Sequence, residues 1–177
     1  VEGYMDVIAC QRAGIPGVAP MGTALTEDQM ALLWRTSREP VLCFDGDKAG
    51  RRAAFRAVER ALPDLRPGYS FRFALLEAGK DPDDVLRDQG APALQAAVSR
   101  TRPFIDMLFQ KELDVEPLDT PERKAGLKGR LNAAARTIKD TDLAEIYRRE
   151  LMDRFFRLTP APRFRRAGQP EAMKPES

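Results

Sequence analysis

The chain has 177 residues, enough for one hydrophobic core, or one core with a small helical appendage. Charged residues make up 32% of it while the formal net charge is only +2, so any polyanion-binding surface has to come from local clustering. No histidine and only two cysteines, Cys10 and Cys43, exclude zinc sites, Ser-His-Asp or Cys-His catalysis and a disulfide framework, and no apolar run approaches the ~20 residues of a membrane span. The expectation is a soluble cytoplasmic protein with both thiols reduced and buried.

Val1 and Glu2 read as the end of a strand, with no initiator Met and no leader before them, which predicts a piece of a longer protein. Apolar residues at Met5, Val7, Ile8 and Ala9 predict a helix over 5–13 that stops at Gly14, and 15–19 predict a short buried strand ending at Pro20. Thr26 and Gln29 form a capping box opening a helix that buries Met30, Leu33 and Trp34. Residues 41–44 are apolar without alternation, the pattern of a central parallel strand covered on both faces. A helix over 48–62 puts Ala54, Ala57, Val58 and Ala61 on one face, and 69–76 supply another strand. This alternation predicts an α/β fold with a mostly parallel, doubly wound sheet and ligands at its carboxyl edge.

Beyond Gly90 the pattern is helical only, over 92–99, 103–113, 121–138 and 142–158. Thr120 caps the third of these, with Pro121 in its first turn. Leu127, Leu131, Ala134 and Ile138 on that helix match Leu143, Tyr147, Leu151, Phe155 and Leu158 on the next, so the two are expected to pack as an antiparallel hairpin in a small bundle. Trp34, Phe104, Phe109 and Phe156 lie on apolar stripes and are expected to fill cores rather than stack on bases. From Thr159 onward, Pro160, Pro162, Pro170 and Pro175 interleave with Arg163, Arg165 and Arg166, the composition of a disordered linker. No internal repeat is visible.

Three acidic clusters fall where this topology places strand ends: Glu2 with Asp6, Asp45 with Asp47, and Asp81 with Asp83 and Asp84. Carboxylates so dense repel one another unless hard cations neutralise them, and Mg²⁺ is held by a few carboxylate oxygens while keeping positions open for phosphates. Each cluster also has a plainer reading: Asp45-Gly46-Asp47 as a turn, Asp81-Pro82 as a helix N-cap followed by Pro. An EF-hand fails, since Ala49 and Arg56 stand where ligands belong. A haloacid-dehalogenase-like phosphotransferase shares an apolar strand before Asp-x-Asp, but this chain continues Lys48-Ala49-Gly50 where that family has a Thr or Val. Lys48, Arg52, Arg56 and Arg60 recur every four residues, flanked by Arg51, as a solvated helix face or as a phosphate track leading to the metals.

Taken together, Glu2-Gly3-Tyr4-Met5-Asp6, the segment Met21-Gly22-Thr23-Ala24-Leu25-Thr26, Phe44-Asp45-Gly46-Asp47-Lys48-Ala49-Gly50 and Lys80-Asp81-Pro82-Asp83-Asp84 resemble, in order and spacing, the Toprim domain of bacterial DnaG-type primases. Glu with Asp-x-Asp alone is shared with topoisomerases, recombination-mediator proteins and small nucleases; the Gly-Tyr-Met-Asp, Gly-Thr-Ala-Leu-Thr and Asp-Pro-Asp segments narrow it. The resemblance implies a Toprim subdomain over 1–90, a helical subdomain over 91–158 and a linker over 159–177 toward a helicase-binding domain. It implies Mg²⁺ or Mn²⁺, with no zinc in this part, on Glu2, Asp45 and Asp47, with Asp6, Asp81 and Asp83 serving a further ion, and phosphate or nucleic-acid contacts from Lys48, Arg51, Arg52 and Arg56. It also implies a single-stranded DNA template, ribonucleoside triphosphates and the replicative helicase as partners. A zinc module and a basic amino-terminal half would lie upstream, so these residues alone are expected to bind metal with little or no priming. A Toprim nuclease or topoisomerase piece and a non-catalytic helical interaction module are the rival readings.

Overall fold

The computed structural model describes residues 1–20 and 24–160. Met21 to Thr23 of the Met-Gly-Thr-Ala-Leu-Thr segment, and 161–177 of the expected linker, lie outside the described residues. In chain order the elements are α1 (Tyr4–Arg12), α2 (Glu27–Thr36), β1 (Val41–Phe44), α3 (Lys48–Ala61), a 3₁₀ turn (Leu62–Asp64) and β2 (Arg72–Leu75). They continue with α4 (Pro82–Gln89), α5 (Ala91–Ser99), β3 (Arg102–Pro103), α6 (Phe104–Leu113), α7 (Pro121–Thr137) and α8 (Thr141–Leu158).

The sheet runs β1-β2-β3, with β1 and β2 parallel and β3 antiparallel to β2. Its register explains the two cores. Leu42 stands beside Phe73 and Cys43 beside Ala74, and side chains of successive strand residues point to opposite faces. Leu42 and Phe73 join the larger core, which gathers Trp34, Val58, Phe104, Met107, Leu127, Leu131 and Leu151. Cys43 and Ala74 join a thinner one with Ala9, Ala13, Val85 and Leu94. Small residues there let α1, α4 and α5 lie close over the sheet, while aromatics fill the deeper side. Phe44, Phe73, Phe104 and Tyr147 follow one another at ring-centroid distances of 6.3, 5.8 and 6.5 Å, carrying the core from β1 through α6 to α8. Helices on both sides of Gly90 therefore share one core, and α5 packs on α4 and β2.

Cap chemistry starts the helices where the sequence analysis places them. Thr26 Oγ1 accepts from Gln29 N while Gln29 Oε1 accepts from Thr26 N, and Thr120 and Asp140 cap α7 and α8 through Arg123 N and Leu143 N. The α7–α8 hairpin forms, with Leu127, Leu131, Ile138, Leu151 and Phe155 buried between it and the rest.

Several expectations need correction. Residues 15–19 are not a strand: Pro16 and Pro20 have no N–H to offer a ladder, and the Val1 amino group donates to Val18 O at 3.2 Å. The mostly parallel sheet forms through β1 and β2, and two residues after α5 add a short antiparallel edge on Arg72 and Phe73 that the sequence analysis does not place. On α1 the buried positions are Asp6, Ala9 and Cys10, whereas Met5 and Ile8 face outward beside Tyr4. Phe156 and Leu158 are exposed, Phe156 lying under the Lys128 ammonium at 5.4 Å from its ring centroid.

Gly129 sits exposed in the middle of α7, with no atom within 4 Å of where a Cβ would stand. Gly129→Ala is expected to stabilise the fold by about 0.5–1 kcal/mol, read as a higher urea midpoint at unchanged slope.

Candidate metal centre

Three loops meet at the carboxyl edge of the two parallel strands. β1 runs straight into Asp45-Gly46-Asp47, and β2 into Leu76, Glu77 and then Asp81 at the start of α4. α1, with Gly3 as its N-cap, packs on α4 and brings Asp6 to the same edge. Backbone contact sets the meeting of the first two loops. Gly46 N donates to Lys80 O at 3.3 Å, and a Cβ on Gly46 would lie 1.9 Å from Glu77 O, a distance no side chain tolerates. Gly50 answers a second close approach, since its Cβ would lie 2.2 Å from Asp45 O. The chain folds back on Asp45 between two glycines.

The plainer readings of Asp47 and Asp81 hold as far as they go. Asp47 Oδ1 accepts from Gly50 N at 2.6 Å, capping α3, and Asp81 Oδ1 accepts from Asp84 N at 2.7 Å, capping α4. Asp6 Oδ2 accepts from Gly3 N at 2.9 Å and is itself buried. A carboxylate has about four lone-pair sites, so each of these side chains keeps acceptor capacity beyond its cap. Three helix N-termini add their partial positive charge at the edge, which accounts for how the acids are tolerated together.

Electrostatics single out Asp45. Partial burial, then the charges of Glu2, Asp6, Asp81 and Asp47 in that order, push its carboxyl up to about 6. Four carboxylates from three loops thus act on a fifth. As the side chains stand, no three acidic or cysteine side chains among the described residues converge closely enough to share one ion. The donor set fits a hard divalent cation chemically: every candidate is a carboxylate, and none of the six has a salt-bridge partner among the described residues. Glu77, exposed at the same edge, is an acid the sequence analysis did not count; its place directly after a strand is the signal. Asp84 is held by Arg87, and Lys80 by Asp88 at 2.6 Å.

The basic residues divide. Lys48, Arg52 and Arg56 are exposed, with no carboxylate within 4 Å among the described residues. Arg51 instead bonds Asp114 at 2.5 Å and covers the Phe55 ring at 5.5 Å, tethering α3 to the end of α6. Arg60 donates to Leu25 O. Cys43 and Cys10 lie buried behind the site, and burial pushes the Cys43 thiol up to about 12, a structural rather than reactive cysteine.

A raised carboxyl pKa has a defined sign in stability. The charged form is disfavoured by the fold, so Asp45's contribution is fully present below its unfolded value near 3.8 and lost as pH rises through about 6. Without divalent cations, Asp45→Asn is therefore expected to raise Tm at pH 8 by about 2–4 °C after allowance for solvent screening. The gain should vanish toward pH 4; thermal unfolding in EDTA across pH 4–8 measures both.

A Toprim-type edge, with acids after two parallel strands and on an adjoining helix, is what this geometry defines, and the Toprim-like family matches residues 1–86. The DNA primase of Escherichia coli K12 is 42% identical over 128 residues, covering 72% of this chain and 22% of that protein. A DNA primase domain from Pseudomonas aeruginosa superimposes with a TM-score of 0.79 at 38% identity, covering 86% of this chain and 48% of that one. A DnaG primase catalytic domain bound to single-stranded DNA gives 0.77 at 37% identity, covering 86% and 50%. Over most of its length the chain matches the catalytic core of the bacterial DNA primases of the DnaG type, in its Toprim and helical part. It spans 22% of the length of its E. coli relative. The haloacid-dehalogenase-like reading falls with this match. Among the described residues no helix is long and apolar enough to cross a membrane.

Proposed function

We propose that this chain supplies the carboxylate edge of a DNA-directed RNA polymerase that makes short RNA primers on single-stranded DNA during replication. The observation that carries the reading is the shared field at Asp45, fed by Glu2, Asp6, Asp81 and Asp47 from three separate loops, in a chain that matches the DNA primases. Glu2, Asp45 and Asp47 would hold one Mg²⁺ or Mn²⁺, with Asp81, Asp83 and Asp6 serving a second ion directly or through water. Bound there, such ions would lower the pKa of the primer 3′-hydroxyl and stabilise the leaving pyrophosphate. The protein's own work is positioning. Gly46 and Gly50 clamp the Asp45 loop against the β2–α4 connection, and the cap bonds of Asp47 and Asp81 restrict their rotamers. Phosphoryl transfer needs orientation and charge neutralisation more than covalent help, so a site without histidine or a reactive thiol suffices.

Lys48, Arg52 and Arg56 on α3 run away from this edge and would receive triphosphate or template phosphates. Binding of single-stranded DNA by the similar DnaG catalytic domain supports that template class. The replicative helicase would be engaged by a domain outside these 177 residues, at the replication fork in the bacterial cytoplasm. Template-dependent primer synthesis by the longer protein containing this segment is the test. Asp45→Asn should lower its rate on the order of 100-fold or more without unfolding it. A folded variant that primes at the unaltered rate would refute the assignment.

A further inference from the structure

At the opposite edge of the sheet, one strand length or about 13 Å from the acids, the connections preceding β1 and β2 carry an arginine–aromatic cluster. Arg66, Pro67, Gly68 and Tyr69 form a tight turn: Tyr69 N donates to Arg66 O at 2.9 Å, Gly68 has φ 80°, and Pro67 occupies the position that favours a type II turn. That turn lays the Arg66 guanidinium over the Tyr69 ring at 4.1 Å from its centroid and within 5.9 Å of Trp34. Arg38, whose carbonyl accepts from Ser70 N, brings a second guanidinium to 5.8 Å from the same Tyr69 ring. The platform is fixed, since Trp34 Nε1 donates to Ser70 O at 2.9 Å and its ring packs on Phe71 at 4.8 Å. Arg35, exposed in the last turn of α2, adds a third positive charge.

Among the described residues neither Arg66 nor Arg38 has a carboxylate within 4 Å and Glu39 makes no ion pair, and the nearby Asp64 is taken by Lys139. Two like charges are thus held on one ring without a counter-ion. A guanidinium stacked through its face keeps its in-plane N–H donors free, in the fork that matches phosphate oxygens. Aromatic rings interleaved with unpaired arginines are also the make-up of single-strand nucleic-acid platforms.

We propose that Arg38, Arg66 and Tyr69 form a contact site for the phosphodiester backbone of a single-stranded nucleic acid, separate from the carboxylate edge. The proposal is independent of catalysis at Asp45, and its test is run in EDTA so that metal binding is not read. Fluorescence anisotropy of a labelled oligothymidylate with the 177-residue chain is compared for Arg38→Gln/Arg66→Gln and for Arg136→Gln/Arg149→Gln, an equal loss of exposed charge from α7 and α8. The first pair should weaken binding roughly tenfold at low salt and flatten the log–log salt dependence by about 1.4, two single-strand phosphate contacts. The control pair should change affinity less than twofold. Absence of binding, equal losses in both pairs, or displacement by inorganic phosphate at the same phosphate concentration would overturn the proposal. Circular dichroism confirms that the variants are folded.

Discussion

Gly46→Ala is expected to be the most damaging single-methyl change in the chain. Its Cβ would stand 1.9 Å from Glu77 O, 2.3 Å from Glu77 C and 2.4 Å from Leu76 O, all backbone atoms of the loop leaving β2. No side chain can rotate out of the way. Either the β1 loop lifts off the β2 loop or β2 loses its pairing with β1, and in both cases Asp45 and Asp47 separate from Asp81. A cost of about 3 kcal/mol or more follows, together with loss of divalent-cation binding. Gly129→Ala, the same chemical change in open space, provides the contrast in one urea series. A Gly46→Ala protein as stable as the unaltered one would mean that the close approach of the two loops does not exist in solution.

Phe73→Ala tests the other structural claim, that a single core ties the sheet to the later helices. Phe73 is fully buried in the central strand, between Phe44 at 6.3 Å and Phe104 at 5.8 Å. Truncation removes the middle of that aromatic series and leaves a cavity that neither β1 nor α6 can close without breaking its own contacts. Destabilisation of about 3–5 kcal/mol is expected. Against a typical total of about 5–15 kcal/mol this is enough to unfold a marginal protein. Leu32→Ala, at a position 60% exposed on α2, should stay within about 0.5 kcal/mol. If the helices beyond Gly90 were an independent unit, their melting would survive Phe73→Ala; a single cooperative loss is the expected result.

The parts of the fold legible in the sequence are those fixed by local rules. Thr26 and Gln29, Thr120 with Pro121, and Asp81 with Pro82 start helices through bonds made within one turn, and residues 41–44 announce a parallel strand through continuous apolarity, although among the described residues it is an edge strand with Val41 exposed rather than the central strand expected. What escaped depends on partners distant in sequence. Two-residue β3 has no periodicity to detect and exists because Arg72 and Phe73 offer it an edge. Met5 and Ile8 look like the inner face of α1, yet Ala9 and Ala13 are the residues small enough for its approach to the sheet. Phe156 was expected to fill a core, but the α7–α8 hairpin turns it outward under Lys128. At the carboxylate edge the acids and their order were visible, whereas the diversion of Arg51 to Asp114 was not, because 63 residues separate the two. The cluster at Arg66 and Tyr69 is likewise a product of tertiary packing, with only Pro67-Gly68 signalling its turn.

Whether the edge around Asp45 holds divalent cations decides whether its acids are a metal site. Mn²⁺ binding to the 177-residue chain, followed by electron paramagnetic resonance and compared with Asp45→Asn/Asp47→Asn, answers this without an activity assay. The prediction is saturable binding by the unaltered chain that the folded double variant loses. Equal binding by both proteins, or none by a folded unaltered chain, would contradict it and leave these acids as helix caps alone.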